Sequence, residues 1–156
     1  GGESGAGVWE GVAKGGRGVV RRNPGVPRVS GRAGEEIGAC GRAGIPVRGV
    51  PGVSAAQGAA ASLGVSRTHR DAARRLQYVT GHDRRGALPE DLNWGALADP
   101  SVTTVVYMPK RTLRTLLERA VAEGLAPETP ALLVFASPRP TQAALRGPVC
   151  DPPHRV

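Results

Sequence analysis

Aromatic residues and cysteines are scarce in this sequence of 156 residues. Aromatic side chains make up only 3% of the chain, so binding of nucleic-acid bases by aromatic stacking is not expected. The two cysteines, Cys40 and Cys150, are too few for a disulfide framework. They are also too far apart for the short ligand spacing of a zinc site. We therefore expect no metal, and we interpret Cys40 as a small core residue on a helix and Cys150 as a tail residue.

Long hydrophobic runs are also missing. No run approaches the roughly 18 apolar residues of a membrane span, and the glycine-rich start lacks the apolar centre of a signal peptide. These absences predict a cytoplasmic protein without membrane contact. A domain of this size can bury about 70% of its unfolded surface, so a core built from valine, leucine and alanine is expected.

Lysine is nearly absent, because Lys14 and Lys110 are the only two, yet the formal net charge is +8. Arginine carries the surplus, and its planar guanidinium favours bidentate contacts with carboxylates and phosphates. The charge predicts an acidic partner, whether a polycarboxylate, a nucleic acid or an anionic membrane surface. A genome of high GC content that encodes surface cations as arginine explains the composition equally well.

Strand and helix patterns alternate from Val19 onward, which is typical of an α/β fold. Predicted helices cover residues 33–43, 54–63 and 110–124, and predicted strands cover 46–50, 75–80, 103–108 and 131–136. The last helix has an apolar face and a glycine stop at Gly124, and it is expected to connect two parallel strands by a right-handed crossover. The long connection 81–101 is expected to be functional or partly helical.

Ligands of an open α/β sheet bind outside the carboxyl ends of its strands. This rule selects Pro51 to Ala55, Gly81-His82, Met108-Pro109 and Ala136-Ser137. Ser54 is also placed to cap the helix that follows it, which explains Ser54 without a ligand. The small residues after Ser54 fit either close helix packing or a ligand.

Other candidate groups have ordinary structural interpretations. The glycine-containing loop 21–36 has neither dinucleotide nor Walker A spacing, so it can be a plain connection. The two internal histidines, His69 and His82, lie in predicted loops, where a hydrogen-bonded structural role is commoner than catalysis. Met108 can hold a soft ligand or fill a gap in the core.

A series of segments in a fixed order resembles the uroporphyrinogen-III C-methyltransferases, which are tetrapyrrole methylases and also form the C-terminal part of sirohaem synthases. The segments are "VVR" at 19, "GRAGEE" at 31, "AGIPVRGVPGVSAA" at 43, "GVSRTHRDAARRLQYVTGH" at 64, "LNWGALA" at 92, "TTVVYMPKRTL" at 103 and "GLAPETPALLVFASPRPTQ" at 124. The resemblance covers roughly residues 11 to 142. Each segment is a weak signal, and the ordered series is a strong one.

The resemblance implies a dimeric enzyme of two α/β domains that binds S-adenosylmethionine (SAM) and methylates uroporphyrinogen III to precorrin-2, in sirohaem and cobalamin biosynthesis. Carried onto this sequence, the cofactor-binding positions are Pro24, Gly25, Val26, Val29, Ser54, Ala55, Met108 and Ser137. The reaction moves a methyl group to a pyrrole carbon, and it requires alignment and proton handling rather than a covalent nucleophile. No catalytic residue is assigned. Arg70, Arg84 and Arg85 are candidates for the substrate carboxylates, with solvated surface charge as the ordinary alternative.

Three departures from the family pattern stand out. The family's first strand, with its Gly-Pro-Gly-Asp loop, has no counterpart, Val26 replaces an acidic residue, and a proline-rich tail is expected instead of the return strand after Gln142. We therefore expect residues 1–45 to be a remnant of the N-terminal methylase domain, with 1–18 poorly ordered. Residues 46–142 are expected to form a nearly complete C-terminal domain, and 143–156 a tail. We expect this truncated chain not to turn over by itself.

Two alternatives remain open at this point. The first is a basic, non-catalytic binding module, whose binding to nucleic acid would depend steeply on salt. The second is a subunit that completes a methylase fold with another chain. The shortage of aromatics and of any basic helix face favours the methylase and predicts no nucleic-acid partner.

Overall fold

A computed structural model describes residues 33–135 and 141–152. It contains four helices and four strands in this part of the chain. In chain order they are α1 (Ala33–Arg42), α2 (Ala55–Leu63), β1 (Arg75–Thr80), α3 (Trp94–Ala98), β2 (Val102–Tyr107), α4 (Leu113–Ala122), β3 (Pro130–Phe135) and β4 (Ala143–Pro148). The predicted α/β class is confirmed.

Two compact units divide the chain, Gly1–Ala55 and Ala56–Val156. The domain boundary predicted after residue 45, and the disorder predicted for 1–18, stay predictions. Helix α1 belongs to the first unit, carries two acidic residues, Glu35 and Glu36, in its first turn, and ends with Arg42. This order of charges complements the helix dipole. Cys40 lies on α1 as predicted, but it is half-buried rather than part of a core, and Cys150 is exposed.

The parallel strand pair of the second unit is β1 with β2, in a register that runs from Arg75 opposite Val102 to Thr80 opposite Tyr107. Parallel strands need a long crossover, and the connection 81–101 supplies it. The prediction that this connection is partly helical is confirmed by α3, which Asn93 caps through its side-chain oxygen, 3.0 Å from the backbone nitrogen of Ala96.

The predicted strands 103–108 and 131–136 correspond to β2 and β3, which lie in different two-stranded sheets, so the expected crossover between parallel strands of one sheet is not found in the described residues. Strand β3 pairs antiparallel with β4, from Pro130 opposite Pro148 to Phe135 opposite Ala143. The prediction of a tail without a return strand is therefore also wrong for residues 143–148. Strand β4 was not predicted because arginine, glycine and proline near its end are not typical of strands. Such residues are tolerated where a strand lies at an edge and ends.

The predicted strand 46–50 is also wrong, because the structure shows irregular backbone there. Val47 is 48% exposed and Val50 is 85% exposed. A strand is stabilised by the hydrogen-bond ladder to a neighbour, and in the described part of the chain no strand pairs with this segment. Pro46 and Pro51 flank it and cannot donate to a ladder.

A small core in the second unit joins α3 to α4. It contains Trp94, Leu97 and Ala120, against which Val79, Leu88, Leu92 and Leu125 pack. Leu116, also on α4, is only 2% exposed. Helix α4 ends where predicted, because Gly124 has a φ of 109° and the Leu125 backbone donates to Ala120 across it. Within the described residues, no helix is both long and apolar enough to cross a membrane.

Candidate functional site

The carboxyl ends of β1 and β2 lie side by side. Thr80 and Tyr107 are the last residues of the paired register, and one residue beyond it the backbone N–H of Gly81 donates to the Tyr107 carbonyl at 2.7 Å. Two of the four positions selected by the strand-end rule, Gly81 and Met108, are therefore brought together. This edge of the second unit is the candidate site.

Gly81 is packed too closely for any other residue. A Cβ added at this position would lie 2.7 Å from the Pro109 Cα and 2.8 Å from the Pro109 Cβ, and both distances are far shorter than van der Waals contact. Only a residue without a side chain lets the loops after β1 and β2 approach in this way. The glycine is therefore required by the packing of the site's own backbone.

Met108 stands between Tyr107 and Pro109 with a φ of 55°. Among the described residues it is the only one other than glycine with a positive φ. Its side chain is 46% exposed, so Met108 is not filling a gap in the core. A flexible, polarizable thioether held at a strand end suits contact with an apolar or sulfur-bearing ligand.

Tyr107 connects the strand ends to the first turn of α2. Its hydroxyl accepts a hydrogen bond from the backbone N–H of Ala56 at 3.3 Å. Its ring stacks on Tyr78, with 5.9 Å between centroids, and Arg67 donates to the Tyr78 hydroxyl at 3.3 Å. Tyr107 is not among the site residues predicted from the sequence. Its place directly before Met108 was the signal that could have revealed this role.

Ser54 and Ala55 directly precede Ala56 in the chain. Helix α2 begins at Ala55 as predicted, so Ser54 occupies the expected N-cap position, and its side chain is buried, with 5% exposure. Of the small residues that follow, Ala59 is buried. Close packing therefore accounts for at least part of this run of small side chains.

The loop after Gly81 is organised by one carboxylate. Asp83 accepts hydrogen bonds from the backbone N–H of Ala87 at 2.9 Å and of Arg85 at 2.8 Å. The hydrogen bond from Ala87, followed by those from Arg85 and Gly86 and the Arg85 charge, keeps the pKa of the Asp83 carboxyl below its ordinary value, against a partial opposing effect of burial. Arg84 and Arg85 are exposed on this loop.

The remaining predicted residues divide into three groups. Arg70 is exposed and lies in the connection between α2 and β1. The histidines contact nearby backbone, since His69 Nδ1 accepts from the Asp71 N–H at 3.2 Å and His82 Nδ1 lies 2.9 Å from the Asp83 carbonyl oxygen. These contacts fit the structural interpretation. The predicted positions outside the described residues are Pro24, Gly25, Val26, Val29 and Ser137.

The family model for Tetrapyrrole (Corrin/Porphyrin) Methylases matches residues 6–152. The chain belongs to the tetrapyrrole methylase family. Among curated relatives, a sirohaem synthase of Gluconacetobacter diazotrophicus is 44% identical over 142 residues, which cover 90% of this chain and 30% of the relative. A sirohaem synthase of Pseudomonas fluorescens strain Pf0-1 is 41% identical over 145 residues, covering 93% of this chain and 31% of the relative.

Solved tetrapyrrole methylase structures share the fold. A uroporphyrin-III C-methyl transferase from Thermus thermophilus, complexed with S-adenosyl homocysteine, superposes with a TM-score of 0.80 at 28% identity, over 92% of this chain and 60% of the other. A further structure of the enzyme from that organism gives a TM-score of 0.76 at 39% identity, over 96% of this chain and 63% of the other. The chain thus spans about 30% of the length of the sirohaem synthases it matches. It spans about 60% of the solved methyltransferases.

Proposed function

We propose that this chain carries part of a SAM-dependent methyltransferase that converts uroporphyrinogen III to precorrin-2. The observation that carries the proposal is the fold match to a uroporphyrin-III C-methyl transferase in complex with S-adenosyl homocysteine, the demethylated form of SAM. The 44% identity to a sirohaem synthase supports the same activity. The site belongs, on this proposal, to sirohaem or cobalamin biosynthesis.

The residues of the strand-end site fit such a cofactor. Met108 offers an exposed thioether beside the paired ends of β1 and β2. By family register we assign SAM contacts to Pro24, Gly25, Val26, Val29, Ser54, Ala55, Met108 and Ser137. SAM supplies an electrophilic methyl group, and the protein's part is to align it with the nucleophilic carbon.

The proposed partners follow from charge and from the family. The substrate is an acidic tetrapyrrole, and Arg84 and Arg85 on the Asp83 loop, with Arg70, are the candidates to meet its carboxylates by charge-assisted hydrogen bonds. We further propose a homodimer in the cytoplasm as the working form of the complete enzyme. These assignments rest on the family resemblance and on the exposure of the arginines.

Calorimetry with S-adenosyl homocysteine tests the cofactor assignment. We expect the chain to bind, and we expect Met108→Ala to weaken binding about tenfold, which corresponds to a lost contact of about 1.4 kcal/mol. Leu132→Ala is the matched control, because Leu132 is a comparably exposed apolar residue, on β3. Equal affinity of the Met108→Ala variant and the wild-type chain would remove Met108 from the site.

Incubation with SAM and uroporphyrinogen III tests turnover separately. Because Val26 occupies a position that is acidic in the family pattern, we expect binding without methylation by this chain alone. Formation of precorrin-2 would contradict that expectation and would confirm the proposed reaction directly. A chain that binds neither S-adenosyl homocysteine nor the tetrapyrrole would refute the proposed function.

A further inference from the structure

The backbone of Met108 is strained in two ways. Its φ of 55° places it in the left-handed region, where the Cβ of an L-residue crowds the following carbonyl. It also precedes Pro109, and a residue before proline ordinarily adopts extended backbone. Such strain persists only where the surrounding contacts enforce it. The contacts on either side of Met108 must therefore supply that restraint.

Both neighbours of Met108 are fixed on Gly81. On one side, the Tyr107 carbonyl accepts the Gly81 N–H at 2.7 Å. On the other, Pro109 packs against Gly81 so closely that a Cβ there would lie 2.7 Å from the Pro109 Cα. The position of Gly81 thus sets where the chain enters and leaves Met108.

Thr112 fixes the remaining polar group of Gly81. Its hydroxyl donates to the Gly81 carbonyl, across 31 residues of sequence and inside the fold, since Thr112 is only 6% exposed. Thr112 is the N-cap residue of α4, yet its side chain makes no capping hydrogen bond. A threonine at this position ordinarily accepts from the first turn of its helix. Here the side chain acts on the β1 loop instead.

The same threonine holds Pro109 through its backbone. The Pro109 carbonyl accepts from the Thr112 N–H at 2.9 Å and from the Leu113 N–H at 2.7 Å. Thr112 therefore contacts both residues that form the close approach. Its hydroxyl donates to the Gly81 carbonyl and also lies 3.4 Å from the Pro109 carbonyl oxygen, and its amide donates to the Pro109 carbonyl. Removing the hydroxyl would release the Gly81 carbonyl while leaving the amide contact in place.

We propose that Thr112 is a positioning residue for the methyl-donor site, because its hydroxyl holds Gly81 against Pro109 and so keeps Met108 in the left-handed conformation. The effect on cofactor binding rests on the proposed function. The effect of the Thr112 hydroxyl on the conformation of Met108 does not depend on it. If the hydroxyl acts through Met108, Thr112→Val should change both the conformation of Met108 and the affinity for the ligand. Thr112→Ser, which keeps a hydroxyl, should preserve both.

The experiment uses the full chain labelled with ¹³C at the methionine methyl group. Met108 is the only methionine of the sequence, and Met108→Leu identifies its resonance against any initiator methionine. We expect Thr112→Val to shift this resonance and to weaken S-adenosyl homocysteine binding about tenfold, and Thr112→Ser to keep the resonance position and bind within about twofold of the wild-type chain. Thermal unfolding of each variant confirms that binding is measured on folded protein.

Three results would overturn the positioning role. The first is an unchanged Met108 resonance in folded Thr112→Val, and the second is an unchanged affinity in that variant. The third is an equal loss of affinity in Thr112→Val and Thr112→Ser.

If the wild-type chain binds no S-adenosyl homocysteine, the proposed function fails and the resonance alone decides the role of Thr112. If Thr112→Val does not fold, Thr112→Ala takes its place, because it removes the same hydroxyl and leaves the backbone amide in position. A Met108 resonance unmoved by that change would equally refute the proposal.

Discussion

Segments 46–53 and 75–80 place their valines in opposite surroundings. Val50 and Val53 are 85% and 65% exposed, in irregular backbone. Val79 lies in β1, paired with Val106 of β2 and packed against the core formed by α3 and α4. Similar apolar residues therefore form a strand where a neighbouring strand and a core are present, and remain irregular where the described chain provides neither. Four changes test this contrast.

The largest effect is expected from Leu116→Ala in α4. Leu116 is 2% exposed, so the change removes buried methyl groups and leaves a cavity, which costs about 2 to 5 kcal/mol. Chemical denaturation followed by circular dichroism measures the loss. Val53→Ala is the control, and we expect it to change the free energy of unfolding by less than about 0.5 kcal/mol. Equal losses of unfolding free energy in the two variants would show that the exposed segment 46–53 is as tightly packed as the core.

The valine pair gives the most direct comparison. Val79→Ser should destabilise the protein by about 1 to 2 kcal/mol, because it removes apolar packing against the core. Val50→Ser should leave stability within about 0.5 kcal/mol of the wild-type chain. Thermal and urea unfolding of both variants measure the difference. A clear loss in Val50→Ser would mean that segment 46–50 is packed in solution.

Asn93→Ala should produce a smaller loss of about 1 kcal/mol, since the Asn93 side chain accepts from Ala96 and caps α3. Helix α3 has five residues and brings Trp94 and Leu97 into the core, so a frayed start weakens the packing beneath β1. Asn93→Asp keeps an acceptor at the same place and should retain stability. Hydrogen exchange at Ala96 would report the fraying directly.

The smallest effect is a pH dependence at the connection that leads into β2. Hydrogen bonds from the Ser101 hydroxyl, at 2.7 Å, and from its backbone N–H, at 2.8 Å, keep the pKa of Asp99 below its ordinary value of 3.8, and a hydrogen bond and the charge of Arg75 add to this effect. A lowered folded pKa stabilises the fold above pH 3.8, and that stabilisation is lost as the pH falls through the folded value.

Melting temperatures measured between pH 3 and 7 check this dependence. Asp99→Asn should flatten the acid side of the profile, and Ser101→Ala should flatten it in part. An acid slope that is unchanged in Asp99→Asn would show that this carboxylate contributes nothing to acid sensitivity, and that other groups such as Asp83 account for it.

Local patterns predicted the elements that carry a regular apolar pattern in their own sequence. Helix α4, with its apolar face and its stop at Gly124, and strands β1 and β2 were predicted within a few residues. Strand β4 was missed because Arg146, Gly147 and Pro148 do not resemble a strand, and only its pairing with β3 makes it one. The prediction of a strand at 46–50 was wrong for the converse reason. Its β-branched residues indicate a strand, but composition alone does not provide a neighbouring strand to pair with.

The candidate site was predictable in its position but not in its geometry. The strand-end rule found Gly81 and Met108 because it depends only on where strands end. The left-handed backbone of Met108 could not be predicted, since residues before proline are ordinarily extended. The bond from Thr112 to Gly81 joins residues 31 positions apart, and a threonine before a helix is otherwise fully explained as a cap.

The packing of α3 against α4 should be visible in the fluorescence of Trp94. Its indole is 9% exposed, the Arg119 guanidinium lies 4.6 Å above its ring, and its Nε1 has no acceptor among the described residues. An indole shielded from water emits at shorter wavelength than a hydrated one, and a cation over the ring perturbs its excited state. In a Trp9→Phe background, fluorescence from Trp94 alone would give a label-free readout of whether the second unit is folded.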